Sequence, residues 1–307
     1  DADSYDRMSR SVTYRGQVDP DAADGDGDGL LDGYEDKLAS ITYYDYESRL
    51  KGEEVMDYTE RFNSLQQITS TTVYLYEATL KRAADANSDD RMSRSVTYRG
   101  QVDADAVDAN GDGILDGYES YLSSITYYDY EGRIKGEEVS DYTEKFNSSQ
   151  EVVSTTVYLY ESDLRRASAA GSDDRMSRSV TYRGELADPE SADTDGDGVI
   201  EAYEDKLASI TYYDYDTRLK GEEVTDYTER FNSKQQIIST TVYLYESTLE
   251  RASTAGSDDR MSRSVTYRLS LADPQGADAD GDGLIDAYYD KLASITYYDF
   301  DDRLKGE

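Results

Sequence analysis

Five acids and four glycines fill the twelve residues "DGDGDGLLDGYE" (24–35). Asp24, Asp26, Asp28, Asp32 and Glu35 take positions 1, 3, 5, 9 and 12 of that stretch, and Gly29 takes position 6. A hard divalent cation needs six to eight oxygens, so alternate acids can project inward while glycine lets the backbone turn. The carbonyl of Leu30 at position 7 completes a calcium-loop set. The spacing returns in "DANGDGILDGYE" (108–119), with Asp108, Asn110, Asp112, Ile114, Asp116 and Glu119 at the ligand positions. It returns again in "DTDGDGVIEAYE" (193–204), with Asp193, Asp195, Asp197, Val199, Glu201 and Glu204. The fourth copy, "DADGDGLIDAYY" (278–289), offers Asp278, Asp280, Asp282, Leu284 and Asp286. Asn110 and Glu201 keep an oxygen donor. Tyr289 stands where a bidentate Glu closes the sphere, so the fourth loop lacks its closing ligand unless Asp290 reaches in. The pattern predicts one calcium ion per complete loop; the competing reading is an acidic, glycine-rich surface turn.

A helix–loop–helix EF-hand also needs a helix entering the loop. The preceding "TYRGQVDPDAA" (13–23) contains Gly16 and Pro20 and has no 3.6-residue apolar period, so no entering helix is expected. After the loop, "LDGYEDKLAS" can form one or two helical turns with Leu31, Tyr34 and Leu38 on one side. In these residues the chain resembles the loop–helix calcium modules of dockerins and the aspartate-rich repeats of thrombospondin type 3. That resemblance covers twelve residues per copy. It implies calcium and no particular activity.

The elements that hold these loops must be built without much grease. The chain of 307 residues carries 67 acids against 32 bases, a net charge of −35, and contains no Cys, His or Trp. Disulfides, Cys/His zinc sites, Ser-His-Asp triads and Cys-His dyads are therefore excluded. The acid excess opposes nucleic acid and anionic membranes as partners and favours hydration and divalent cations. No apolar run approaches a membrane span and no signal peptide is present in the residues given, so no membrane insertion is expected. Such a composition would ordinarily point to disorder, but 31 tyrosines change the outcome. Each can bury a large ring while its hydroxyl stays wet or hydrogen-bonded. Four bound calcium ions would cancel eight of the 35 net negative charges.

Internal repetition organises the chain. "RMSRSVTYR" starts at residues 7, 91, 175 and 260, in steps of 84, 84 and 85. Each unit then runs through the acidic loop, "ITYYDYESRLKGEEV" (41–55), "DYTERFNS" (57–64) and "TTVYLYEATLKRA" (71–83). Units are expected at 1–84, 85–168, 169–253 and 254–307, the last partial. The chain starts and stops inside a unit, as a window on a longer array or a protomer that joins end to end would. The tyrosine segments read as strands because Thr, Val, Ile and Tyr dominate and apolar side chains alternate. In "TTVYLY", Val73 and Leu75 face one way, Tyr74 and Tyr76 the other. Strands apolar on both sides want cover on both, as in stacked sheets or solenoid coils. "ESR", "FNS" and "EAT" supply reversals. The fold class expected is mainly β: stacked hairpins or a β-solenoid-like rod, with short helical turns only after the acidic loops.

The stretches "YDYESRL" (44–50), "YDYEGRI" (128–134), "YDYDTRL" (213–219) and "YLYEATL" (74–80) resemble the tyrosine–aspartate repeats of the RHS/YD family. Only Gly132 supplies that pattern's glycine, the acid-to-Arg spacing is two residues short, and the "VYLY" copies lack the Arg. The resemblance implies a spiral of β-hairpins of the kind found in large secreted or surface proteins, and no catalytic residue.

Together these features predict an extracellular or cell-surface structural repeat protein, a calcium-stabilised rod or filament that associates with copies of itself end to end or laterally. The alternative is a calcium-dependent adhesin holding glycans or a partner cell through exposed tyrosines. An enzyme is not expected. Glu53 and Glu54 point to opposite faces of a strand and read as solvated charge beside Lys51. Phe62 and Asn63 read as a turn. Asn147-Ser148-Ser149 fits an N-glycan acceptor without counterpart in the other units.

Overall fold

The computed structural model describes residues 6 to 298. The closing "RLKGE" of the fourth sequence unit lies outside the described residues, as do residues 1 to 5. The chain divides into two compact units, Asp1–Val152 and Val153–Glu307. The first contains β1 (Arg10–Tyr14), β2 (Leu38–Asp45), β3 (Val55–Phe62), β4 (Ile68–Tyr76), β5 (Met92–Arg99), β6 (Leu122–Asp129) and β7 (Val139–Phe146). Within this unit each strand from β1 to β6 pairs antiparallel with the next. The second unit contains β8 (Val152–Tyr160), β9 (Met176–Arg183), β10 (Leu207–Asp214), β11 (Val224–Phe231), β12 (Ile237–Tyr245), β13 (Met261–Arg268) and β14 (Leu292–Tyr297), paired in the same manner. The protein is mainly β and built of consecutive antiparallel hairpins, as the alternation of Tyr, Thr and Val predicts.

The two-sided strands behave as their sequence requires. Val73 and Leu75 are buried with Val96 and Tyr98 on one face, while Tyr74 and Tyr76 pack on the other with Val55, Ala83, Ala86 and Met92. Cover comes from the connections between strands. On the first face, Val102, Ala104 and Leu115 of the acidic β5–β6 connection complete the core. On the second, the β4–β5 connection lays Ala83 and Ala86 against Tyr76. In the second unit Leu271, Leu284 and Ile285 cover one face and Ala252 and Ala255 the other.

No helix enters an acidic loop among the described residues. Short 3₁₀ turns form at the end of each loop, from position 12 at Glu35–Lys37 and Glu119–Tyr121 and already from position 9 at Glu201–Lys206 and Asp286–Lys291. Contrary to the expectation of helical turns there alone, 3₁₀ turns also form at Ala83–Asp85 and Ala167–Ala169. The first alanine of each, Ala83 and Ala167, buries against the sheet, so the turn is set by packing rather than by a local signal. No helix among the described residues is long and apolar enough to cross a membrane.

The "YDYESRL" segments owe their acid-to-Arg spacing to a clamp. Arg49 Nε donates to Asp45 Oδ2 at 2.5 Å, and its Nη2 reaches the carbonyls of Ala83 and Ala86 at 2.6 and 2.8 Å. One guanidinium thus pins the β2–β3 arm to the connection that covers the second face. A bulge at Tyr43/Tyr44 leaves Asp57 unpaired in the ladder, and Arg82 meets it at 2.9 Å. Glu53 and Glu54 are more than solvated charge. Glu53 Oε2 accepts from Leu50 N, and Glu54 accepts from Gly52 N and Met8 N. Its own backbone N–H, joined by those of Met8 and Gly52, holds the Glu54 carboxyl below its ordinary range. Asn63 makes the expected turn, its Oδ1 accepting from Leu65 N and Gln67 N.

Candidate cation loops

Every acidic loop lies in the connection that follows an "RSVTYR" strand: β1–β2, β5–β6, β9–β10 and β13–β14. Inside each loop the acids organise the backbone. Asp108 Oδ1 accepts from Gly111 N and its Oδ2 from Gly113 N, both at 2.8 Å, while Asp112 Oδ1 accepts from Ile114 N at 2.8 Å. The same set recurs from Asp24, Asp193 and Asp278. The position-9 acid closes back on the start of the loop: Asp32 accepts from Gly25 N, Asp116 from Ala109 N and Asp286 from Ala279 N. Three sets of carboxylates are thereby gathered within 4.8 Å of one another: Asp24, Asp26 and Asp28; Asp193, Asp195 and Asp197; Asp278, Asp280 and Asp282. Each set can hold a metal ion. The second loop differs by Asn110, whose Nδ2 turns toward Asp112 Oδ2 at 3.0 Å. Rotating that amide would present its oxygen instead.

The chemistry of the donors fits a hard cation. They are carboxylates and carbonyls, and the chain contains no histidine or cysteine. In the third loop, Glu201 Oε1 accepts from Thr194 N and Asp195 N, yet its Oε2 is buried with no hydrogen-bond partner. A buried anionic oxygen without a donor is costly unless a cation satisfies it.

The position-12 residues follow different paths. Glu204 Oε2 accepts from Gln235 Nε2 of the β11–β12 turn at 3.2 Å. Tyr289, in the fourth loop, donates its hydroxyl to Asp282 Oδ2 at 2.6 Å. That bond lowers the Asp282 carboxyl and raises the Tyr289 phenol relative to their ordinary values. The gathered sets contain positions 1, 3 and 5, and neither Asp290 nor Glu35 belongs to them.

Reasoning from the loops alone misses the groups that seat them. Tyr14, Tyr98, Tyr182 and Tyr267 each accept a hydrogen bond from the position-8 amide, Leu31, Leu115, Ile200 and Ile285 respectively, at 2.7 to 2.8 Å. Four residues earlier on each strand, hence on the same face, an arginine grips the position-5 carbonyl: Arg10 on Asp28, Arg94 on Asp112, Arg178 on Asp197 and Arg263 on Asp282. Burial raises the Tyr98 and Tyr182 phenols to about 12, so both stay protonated. Gly113 and Gly198, at position 6, have φ of +88° and +90°, and a Cβ there would come within 2.7 Å of Leu75 and Leu159. The loop backbone therefore rests directly on the sheet. The signal available in the sequence was the near-invariance of "RSVTYR" among the four copies.

A tyrosine ladder supports the arginines. Arg94 lies 4.9 Å over the Tyr127 ring, which stacks on Tyr142 at 4.3 Å; Arg178, Tyr212 and Tyr227 repeat the arrangement. Tyr127 and Tyr212 donate to Glu144 and Glu229, both at 3.1 Å. Burial raises the Glu229 carboxyl, with the Tyr212 hydroxyl opposing the shift.

No protein-family model and no curated protein matches the chain. Among solved structures it is similar to a porin-like protein from Bacteroides uniformis, at 10% identity and a TM-score of 0.17, covering 76% of this chain and 86% of that one. At that score the likeness carries no argument about fold or function.

Proposed function

We propose that the chain is an extracellular structural repeat protein whose units of about 84 residues stack as hairpins into a calcium-stabilised, solenoid-like rod or filament at a cell surface or in a matrix. The observation that carries this reading is the double duty of the acidic connections. In the fourth loop the same segment gathers Asp278, Asp280 and Asp282 and supplies Leu284 and Ile285 to the core, so an ion bound there braces the sheet. Partners are then further copies of the chain, end to end or laterally. Negative-stain microscopy of the native material tests it: filaments of uniform width in calcium, shortened or lost in chelator, are expected. Monodisperse globular particles in both conditions would sink the reading.

Within this function the loops differ in strength. Loop four has no carboxylate at position 12, and Tyr289 ties up one oxygen of Asp282. Substituting Tyr289→Glu restores a two-oxygen ligand and frees Asp282, so calcium affinity of that loop should rise about tenfold or more. Calorimetric titration reads the change. Equal affinity before and after substitution would show that Tyr289 is no handicap.

A further inference from the structure

The "RSVTYR" strand has a role beyond forming the sheet. In each loop the donor expected at position 7 is a backbone carbonyl, and the amide of position 8 belongs to the same peptide unit. That peptide is planar and trans, so its C=O and N–H point in opposite directions. The Leu115 N–H points at the buried Tyr98 hydroxyl, 2.8 Å away, and the Ile114 carbonyl must therefore point away from the sheet. Ile200 N–H and Tyr182 fix the Val199 carbonyl in the same way, at 2.8 Å.

The position-5 peptide is held from the other end. Arg94 Nη1 takes the Asp112 carbonyl, and the N–H of that peptide, on Gly113, donates to Asp108 Oδ2. Two peptides of one loop are thus oriented by two side chains spaced four residues apart on one strand. This arrangement occurs at all four loops.

We propose that Tyr14, Tyr98, Tyr182 and Tyr267 are positioning residues of the cation loops, each aiming the one backbone carbonyl that completes the donor set. The proposal rests on the calcium reading above. The phenol accepts from the N–H and so also polarises the carbonyl on the other side of the peptide, making it a better cation ligand. A phenylalanine keeps the ring in the core and removes only the acceptor. The peptide is then free to rotate before binding and must be ordered by the ion.

The test uses the full chain with glycine labelled by nitrogen-15, so that the Gly113 and Gly198 amides report occupancy of loops two and three separately during calcium titration. In Tyr98→Phe the loop-two dissociation constant should rise about tenfold, the scale expected when a buried N–H loses its acceptor, while loop three stays within about twofold. Tyr182→Phe should show the reverse pattern. A melting temperature lowered in chelator with both constants unchanged would overturn the proposal and leave the tyrosines a packing role. The wild-type chain gives a second reading that needs no variant. Calcium should slow hydrogen exchange at Leu115 and Ile200 relative to their strand neighbours, and unaltered exchange at saturating calcium counts against the proposal. If neither glycine amide responds to calcium in the wild type, the calcium reading itself falls.

Discussion

In excess EDTA the melting temperature should fall by about 10–20 °C from its value in calcium. The first compact unit holds the loops at 24–35 and 108–119, the second those at 193–204 and 278–289. One site at free calcium a hundredfold above its dissociation constant adds about 2.7 kcal/mol, so two sites add about 5 kcal/mol. For units of this size each kcal/mol moves the midpoint by about 2–4 °C. The direction is reinforced by charge, since each loop confines several carboxylates that repel one another when no ion is bound. The fall should be smaller in the second unit if Tyr289 weakens its loop. Thermal melts followed by circular dichroism measure this, and superimposable curves with and without chelator would defeat it.

Replacing Arg218 by Ala should cost about 2–4 kcal/mol, below the range for a fully buried ion pair because the Asp214 side chain keeps 22% of its surface in solvent. The Arg218 side chain is 9% exposed. It donates to Asp214 Oδ2 at 2.7 Å and to the carbonyls of Ala252 and Ala255 at 2.6 and 2.8 Å. The substitution strands a carboxylate and two carbonyls at once. It also unpins the segment that buries Ala252 and Ala255 against Tyr245. Lysine should rescue less than half of the loss, because a single ammonium cannot reproduce the planar fork that serves three acceptors. Denaturant unfolding of the two variants decides the point. A full rescue by lysine would show that charge alone matters.

The parts legible in the sequence were those written in local periodicity. Alternation in "TTVYLY" placed Val73 and Leu75 on one face and Tyr74 and Tyr76 on the other, as found. The spacing of Asp24, Asp26 and Asp28 marked acids that the fold does gather. What stayed hidden depends on contacts between segments far apart along the chain. Nothing local to Tyr98 says that its hydroxyl meets Leu115, seventeen residues on. Nor does "KRAADA" announce that Ala83 and Ala86 will roof the sheet, since small residues pack wherever tertiary structure leaves room. Bulges such as the one that turns out Asp57 leave no mark in composition either.

The order of pairing bears on how such a chain comes to be folded. Within each compact unit every strand's partner is the next strand along, so no segment waits for one delivered much later. A chain emerging from a ribosome or a secretion pore can close each hairpin on arrival and leave a single growing edge, with the entropy of loop closure limited to one connection at a time. Assembly by accretion also tolerates interruption. A chain halted partway is a shorter version of the finished one, with one open strand edge for the next strand to find.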